Sequence, residues 1–364
     1  MNKAAMQREI EQQLERKAAS DHKLHNVYLL VHSDKHDIHW PMAAGAIDEV
    51  PAHPNQPYHT ASVGKTFTSV ILAMLVEKGA AKFDDPIANY LPPDLVRGLH
   101  VFKGQDYTSS IQIKHLLSNT SGIPDYFEDK PKQGKALMEE ILENPSRFWT
   151  PQETIHWSKE HLSPHFPPGK KVRYTDTGYN LLGLIIEAIT SKPFYEVLHD
   201  YLFTPLKMDH TYLSHYSEPA VKTDHPVANI YMDELKINVE EYRSFSSFYS
   251  GGQTVSTLED QLLFMKALVS HQIIQKETLE TMKQWKRMWL GMDYGYGLMR
   301  TRLIPFTDKY TGWGHFGASG TSMLYFPSLD VYIIGGFNQT AYRSKSMTFI
   351  FTHVLRKLAK HFPN

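Results

Sequence analysis

Ser62 and Lys65, in the stretch Ser62-Val63-Gly64-Lys65, combine a hydroxyl and an amine at a spacing that suits nucleophilic catalysis. A serine hydroxyl is a weak nucleophile and needs a base. Residues three apart at a helix start share one face, so the amine of Lys65 can reach the hydroxyl. A lysine can act as that base where burial disfavours its charged form. The pattern alone is not selective, because Ser20-Asp21-His22-Lys23 fits it too.

A long apolar helix is predicted directly after Ser62. Apolar residues recur there at the spacing of one helix face: Phe67, Val70, Ile71, Met74 and Leu75. Gly79 ends the segment. This helix should be buried, should desolvate Lys65 and should give Ser62 the potential of a helix N-terminus, which favours developing negative charge. Ser20 lies in a polar stretch without these features, so the context favours Ser62.

Strand patterns lie near both ends of the chain. Residues 27–31 and 38–47 flank a polar turn, and residues 321–326 and 331–337 flank a Pro-containing turn, so each pair predicts a β-hairpin. Helical patterns dominate the middle. These features predict one sheet built from residues 1–80 and 245–364, with a mainly helical domain of residues 81–244 inserted between them.

Four further helices are predicted from local patterns. Residues 6–16 predict a polar surface helix. The other three helices have apolar faces and include residues 113–117, residues 178–190 and, near the end of the chain, residues 347–358.

Composition excludes several classes of protein. The 364 residues carry a net charge of −1, so no basic excess points to a nucleic-acid partner. There is no cysteine, hence no disulfide framework and no thiolate chemistry. We find no zinc helix, P-loop or G-x-S-x-G elbow and predict no metal and no cofactor. No apolar run approaches the ~18 residues of a membrane span, and the first residues lack a signal peptide, so a cytoplasmic location is expected.

Several motifs follow one another in a fixed order along nearly the whole chain. They are Thr60-Ala61-Ser62-Val63-Gly64-Lys65-Thr66-Phe67-Thr68, Leu75-Val76-Glu77-Lys78-Gly79, Phe83-Asp84-Asp85-Pro86-Ile87, Tyr90-Leu91-Pro92, His115-Leu116-Leu117-Ser118-Asn119-Thr120-Ser121-Gly122, Pro168-Gly169, Tyr174-Thr175-Asp176-Thr177-Gly178-Tyr179-Asn180-Leu181-Leu182-Gly183, Ser250-Gly251-Gly252 and Gly314-His315-Phe316-Gly317. With them the chain resembles the serine β-lactamase and penicillin-binding protein family, in its branch of class C β-lactamases, DD-peptidases and esterases. The resemblance implies an α/β (α+β) fold of the β-lactamase/transpeptidase type. This fold has an antiparallel sheet flanked by helices, an inserted all-α domain and an active site at their interface.

The family's second motif, Y-x-N, corresponds to Tyr174 and Asp176. A tyrosine beside a lysine can exist partly as phenolate and shuttle protons. Asp176 stands where the family has asparagine, and a carboxylate only accepts hydrogen bonds, whereas an amide also donates them. Asp176 should therefore keep Lys65 charged and weaken it as a base. As a substrate-binding residue it should disfavour a substrate carbonyl and favour an amine or hydroxyl donor. Tyr231-Met232-Asp233 also fits Y-x-D, but lacks the flanking T-G-Y-N-L-L-G.

The third motif, H-x-G, corresponds to His315, Phe316 and Gly317, predicted to bind substrate. The resemblance implies that the N–H groups of Ala318 and Ser62 form an oxyanion hole. His315 should hold a substrate carboxylate less firmly than the lysine of a K-T-G motif would. Arg300 and Arg302 precede this strand and are candidate substitutes.

These features predict a serine hydrolase that cleaves an ester, an amide or a D-amino-acid peptide bond of a small-molecule or peptide substrate through an acyl-enzyme on Ser62. Either Lys65 or Tyr174 is the base. A true β-lactamase or DD-carboxypeptidase is the first alternative, disfavoured by Asp176 and His315. A binding or sensor protein that keeps the pocket but has little activity is the second. The sequence predicts no particular oligomeric state.

Overall fold

The computed structural model describes residues 2–304 and 307–362. Its α-helices are α1 (Lys3–Ser20), α2 (Gly64–Glu77), α3 (Pro93–Val96), α4 (Ile113–Leu117), α5 (Leu137–Glu143), α6 (Pro151–His161), α7 (Asp176–Thr190), α8 (Phe194–Leu198), α9 (Tyr249–Gly252), α10 (Leu258–Val269), α11 (Lys276–Met282), α12 (Lys345–Phe349) and α13 (Arg356–His361). Its strands are β1 (Asn26–Ser33), β2 (Ile38–Ile47), β3 (Val50–Pro51), β4 (Tyr58–His59), β5 (Val101–Phe102), β6 (Gln105–Asp106), β7 (Tyr212–Leu213), β8 (Ile230–Met232), β9 (Leu235–Ile237), β10 (Thr254–Ser256), β11 (Lys286–Trp289), β12 (Met292–Tyr294), β13 (Met299–Arg302), β14 (Thr311–Phe316), β15 (Ser322–Phe326) and β16 (Val331–Gly336).

The main sheet is antiparallel and has nine strands in the order β11-β12-β13-β14-β15-β16-β1-β2-β3. The first and last parts of the chain meet where β1 pairs with β16, with Tyr28 opposite Gly336. Both predicted hairpins are present, as β1 with β2 and β15 with β16. The prediction of one sheet built from both ends of the chain is confirmed.

Strand β1 separates two hydrophobic cores because successive side chains of a strand point to opposite faces. Val27, Leu29 and Val31 pack into the core that includes the terminal helices. Tyr28 and Leu30 pack into the core that includes α2 and α7. Burial on both faces explains why every residue of β1 is buried.

Helix α1 is not the polar surface helix that the sequence predicted. It runs over Lys3–Ser20, and Met6, Ile10 and Leu14 are buried against the sheet. These three residues are four apart and form a narrow apolar stripe, which the many charged residues between them conceal. The helix therefore anchors the first part of the chain to the sheet.

The middle of the chain is mainly helical but not all-α, which corrects that prediction. Two short hairpins, β5 with β6 and β8 with β9, lie within it, and β7 pairs with β10. The division into residues 1–80 with 245–364 and residues 81–244 stays a prediction. Within residues 2–304 and 307–362, we find no helix both long enough and apolar enough to span a bilayer.

Two helices differ from their predicted form. Helix α7 begins at Asp176, two residues before the predicted start, because the Thr175 hydroxyl caps it by accepting the Gly178 N–H. The predicted terminal helix is α12, a π-helical stretch (Ile350–Leu355) and α13 in succession. The earlier start of α7 matters for the site, since it places the Asp176 carboxylate in the first turn of a long helix.

Candidate active site

Ser62 lies in a tight 3-10 turn, Ala61–Val63, immediately before α2. Ala61 has φ +49°, a left-handed conformation that is strained for a residue with a side chain. Two glycines hold this turn by close approach. A Cβ on Gly252 would lie 2.8 Å from the Ala61 oxygen, and one on Gly317 would lie 2.8 Å from the Ala61 Cβ. A larger residue at position 252 or 317 would therefore collide with Ala61, directly before Ser62.

Lys65 is a fully buried cation beside Ser62. Its Nζ lies 3.3 Å from Ser62 Oγ and 2.5 Å from the Gly251 carbonyl oxygen. It also forms an ion pair with Asp176 Oδ1, and the two side chains are only 0% and 8% exposed. Three acceptors match the three protons of an ammonium group, so the geometry is that of a charged lysine. The Gly251 carbonyl had no predicted role, although its motif was recognised.

Tyr174 is half-buried, and its hydroxyl oxygen is buried without a hydrogen-bond partner among the described residues. Burial first, and then the charge of Asp176, raises the pKa of this phenol well above its usual value, while the Ser62 side chain and Arg343 act in the opposite sense. Lys65 Nζ lies 4.9 Å from the ring centroid. Tyr174 is therefore a neutral phenol at rest, not the partial phenolate that the sequence suggested.

His315 has no exposed surface, which corrects its predicted contact with substrate. Its Nδ1 lies 2.7 Å from the Phe316 carbonyl oxygen, which can only accept, so Nδ1 carries the proton. Its Nε2 then accepts from the Tyr294 hydroxyl at 3.1 Å. Burial and the charge of Lys65 lower the pKa of His315 to about 3. It is a neutral support behind the site, and its partner Tyr294 belongs to no motif.

Arg300 and Arg302 do not serve as substitutes for the missing K-T-G lysine. Both guanidinium groups pair with Asp293, at 2.6 Å and 3.2 Å, and that carboxylate is buried. Asp293 stands directly opposite Arg300 in the β12–β13 register. Neither arginine lines the cavities next to Ser62.

The backbone N–H groups of Ser62 and Ala318 are candidates for an oxyanion hole. The Ser62 N–H lies in a first helical turn, where N–H groups have no acceptor within the helix. Ala318 follows β14 in a turn closed by two hydrogen bonds, from Gly317 N to Thr321 O at 2.9 Å and from Gly320 N to Gly317 O at 3.1 Å. Neither bond uses the Ala318 N–H. Both groups belong to residues that line the same cavities.

Ser62 stands where two cavities meet. The smaller, about 70 Å³, is largely apolar, with Phe127, Phe245 and Phe248 in its wall. The larger, about 350 Å³, is lined by further groups, which include Phe316, Gly317, Trp289, Met292, Glu128 and Arg343. Four residues line both cavities: Ser62, Phe127, Asp176 and Ala318. The two substituents of a substrate carbonyl at Ser62 would thus lie in different surroundings, one in each cavity.

An ion pair lies in the wall of the larger cavity. Arg343 Nη1 lies 2.5 Å from Glu128 Oε1, and both side chains are about half exposed, at 53% and 45%. Glu128 comes from the mainly helical middle of the chain, and Arg343 follows the last strand of the sheet. No motif pointed to either residue.

The profile of the Beta-lactamase family matches residues 11–349. The chain belongs to the β-lactamase family. Among curated relatives of this family, penicillin-binding protein 4* of Bacillus subtilis (strain 168) is 26% identical over 264 residues, or 68% of this chain. The match spans 53% of that relative, so the chain corresponds to about half of its length.

Solved structures match over almost the full chain. A D-stereospecific amidohydrolase from a Streptomyces species has TM-score 0.77 and 25% identity, and the match covers 97% of this chain and 99% of that one. A D-amino acid amidase from Ochrobactrum anthropi SV3 has TM-score 0.79 and 22% identity, and covers 98% and 99%. The second likeness shows the fold, which is that of the β-lactamase family.

Proposed function

We propose that the protein is a serine hydrolase that forms an acyl-enzyme on Ser62 and cleaves carboxylic esters or amides, including bonds to D-amino acids. The observation that carries this proposal is the buried Lys65 ammonium 3.3 Å from Ser62 Oγ, at the junction of two cavities. A serine hydroxyl next to a buried lysine, in a strained turn, is an arrangement in which the nucleophile is activated once the lysine gives up a proton.

The reaction has two halves. Ser62 Oγ attacks the carbonyl carbon, and the oxygen that becomes negative receives the N–H groups of Ser62 and Ala318. Such donors are worth about 10²–10³ in rate each. Lys65 and Tyr174, which stand beside Ser62, pass the proton of its hydroxyl to the leaving group as the bond between that group and the carbonyl carbon breaks. Water then attacks the ester and releases the acid and free Ser62.

Charge pairing favours neutral or amine-bearing substrates over β-lactams and peptides with a free carboxylate. Lys65 is paired with Asp176, and Arg343 with Glu128. His315 is neutral and buried. Among the described residues of the two cavities, no cation is left unpaired to receive a substrate carboxylate. The D-amino acid amidase and D-stereospecific amidohydrolase named above support this choice, and a β-lactamase or DD-carboxypeptidase is the weaker alternative.

The test is covalent labelling with a fluorophosphonate probe, followed by mass spectrometry of the peptides. We expect one adduct, on Ser62, and none in Ser62→Ala. Ser20→Ala is the matched control, because Ser20 has the same S-x-x-K spacing but lies exposed at the end of α1. Ester hydrolysis retained in Ser62→Ala would refute the proposal.

A second candidate is a binding or sensor protein of the same fold, which the saturated hydrogen bonding of Lys65 favours, since this amine has no free lone pair. A panel of p-nitrophenyl esters, D-alanyl peptides, D-phenylalanine amide and nitrocefin separates the candidates. Turnover of the esters or the amide supports the hydrolase. Inertness to the whole panel, with measurable binding of one member by calorimetry, supports the sensor. The cytoplasmic location stays a prediction, which fractionation of expressing cells would test.

A further inference from the structure

The resting site contains a nucleophile without an available base. Lys65 directs its three protons at Ser62, Gly251 and Asp176, and Tyr174 is a neutral phenol. Neither group can take the Ser62 proton as it stands. A proton must first leave Lys65, and the site has to hold it during the attack.

We infer that Asp176 receives this proton, so that Ser62, Lys65 and Asp176 form a proton chain with the carboxylate at its end. This inference rests on the proposed hydrolase function and deepens it. Among the three atoms that Lys65 contacts, only the Asp176 carboxylate can bind a proton stably, because Gly251 offers a peptide carbonyl and Ser62 is the donor. Asp176 is thereby a positioning residue that acts on the nucleophile through Lys65.

The burial of Lys65 and Asp176 favours proton transfer from the lysine to the carboxylate. In water an amine is a far stronger base than a carboxylate, so the proton rests on Lys65. Burial penalises two separated charges, so it reduces the free-energy difference between the charged pair and the neutral pair that proton transfer would give. An asparagine at position 176, as in the family motif, could not act in this way, since an amide side chain does not take up a proton at ordinary pH.

The steps balance in protons and electrons. Lys65 passes one proton to Asp176 Oδ1, and a one-third turn about its Cε–Nζ bond directs the freed lone pair at Ser62. The Ser62 proton moves to Nζ while the Oγ electron pair forms the bond to the carbonyl carbon. When the tetrahedral intermediate collapses, the leaving group takes a proton from Tyr174 or Lys65, and Asp176 restores the donor. Water repeats the cycle to free Ser62.

Local structure holds Asp176 in place for this role. It occupies the first turn of the 15-residue helix α7, where the helix dipole favours a carboxylate. Its N–H donates to Asp125 Oδ1 at 2.8 Å. Besides Lys65, several titratable or charged groups are near enough to influence it: Asp125, Tyr126, Tyr174, Tyr294 and Arg343.

The test compares wild-type protein with Asp176→Asn in the rate of fluorophosphonate labelling of Ser62 at pH 7. If Asp176 accepts the proton, the variant should label about 10²-fold more slowly at pH 7, the usual size of a general-base effect. Asp260→Asn, a buried aspartate outside both cavities, is the matched control.

A rescue experiment guards against a purely structural loss. Asp176→Ala should regain labelling when acetate or formate is added, because Asp176 borders both cavities and a small carboxylate can reach its place. Labelling of Asp176→Asn as fast as wild type, or faster, would overturn the inference and would mean that Asp176 only restrains Lys65. If wild-type Ser62 is not labelled at all, the proposed hydrolase function fails instead.

Discussion

Acidification should destabilise this fold through two buried neutral histidines near the nucleophile. Burial lowers the pKa of His315 to about 3 and that of His59 to about 4. Both are under 5% exposed. In the unfolded chain a histidine takes up its proton near pH 6.5. Between pH 6.5 and about 4, the unfolded chain therefore binds more protons than the folded one, and the free energy of unfolding falls as the pH falls.

The size of the effect follows from these shifts. Each histidine removes about 1.4 kcal/mol per pH unit once the pH is well below 6.5. At pH 5 this amounts to about 2 kcal/mol for His315 and about 2 kcal/mol for His59. Set against the 5–15 kcal/mol typical of whole proteins, the two together are a large share of the stability. The loss should level off only near pH 3 to 4, where the folded histidines also take up protons.

Urea unfolding followed by tryptophan fluorescence, at steps between pH 7.5 and 5, measures how steeply the free energy of unfolding falls as the pH falls. In His315→Gln, the free energy of unfolding should fall less steeply with pH, by about 1.4 kcal/mol per pH unit below pH 6.5. The glutamine amide does not titrate, and its oxygen can still accept from Tyr294. His59→Gln should give a similar reduction, and the double variant should add the two. A His315→Gln slope equal to that of wild type would show that His315 is not a buried neutral group.

Three further perturbations test the site. Gly317→Ala should slow Ser62 labelling by about 10²-fold with the overall fold retained by circular dichroism, since the new Cβ would collide with the nucleophile turn and displace one oxyanion donor. Tyr294→Phe should lower the free energy of unfolding by about 1–3 kcal/mol in urea titrations, because the buried His315 Nε2 loses its donor. Glu128→Gln should free Arg343 and raise kcat/KM for carboxylate-bearing D-peptides relative to D-amino acid amides in steady-state assays, and an unchanged ratio would mean that this pair does not select substrate charge.

The parts of the fold that the sequence predicted are those with a strong local pattern. Helix α2 has an unbroken apolar face, and the two main hairpins alternate around clear turns, so their positions followed from periodicity alone. The burial of α1 was missed because Met6, Ile10 and Leu14 are isolated among charged residues. The start of α7 was misplaced by two residues because its cap is Thr175, three residues before Gly178.

The site was predicted as residue types, but their roles depend on tertiary neighbours. Ser62 and Lys65 lie together as expected, since one helical turn fixes their spacing. A histidine at position 315 could bind substrate, and only its packing against Tyr294 shows that its side chain faces the interior. The pairing of Arg300 with Asp293 follows from the register of the β12–β13 hairpin, which was not predicted from the sequence.

Reaction type and substrate choice have different structural origins in this chain. The groups that could perform acyl transfer come from motifs whose backbone is held by glycines and helix termini, so the sequence alone could place them. The groups that set the charge of the larger cavity, Glu128 and Arg343, come from segments without a motif and meet only in the folded chain. Asp176 belongs to both sets, because it stands at a motif position and borders both cavities. Its replacement should therefore change proton transfer and substrate charge preference together, whereas replacement of Glu128 should change the preference alone.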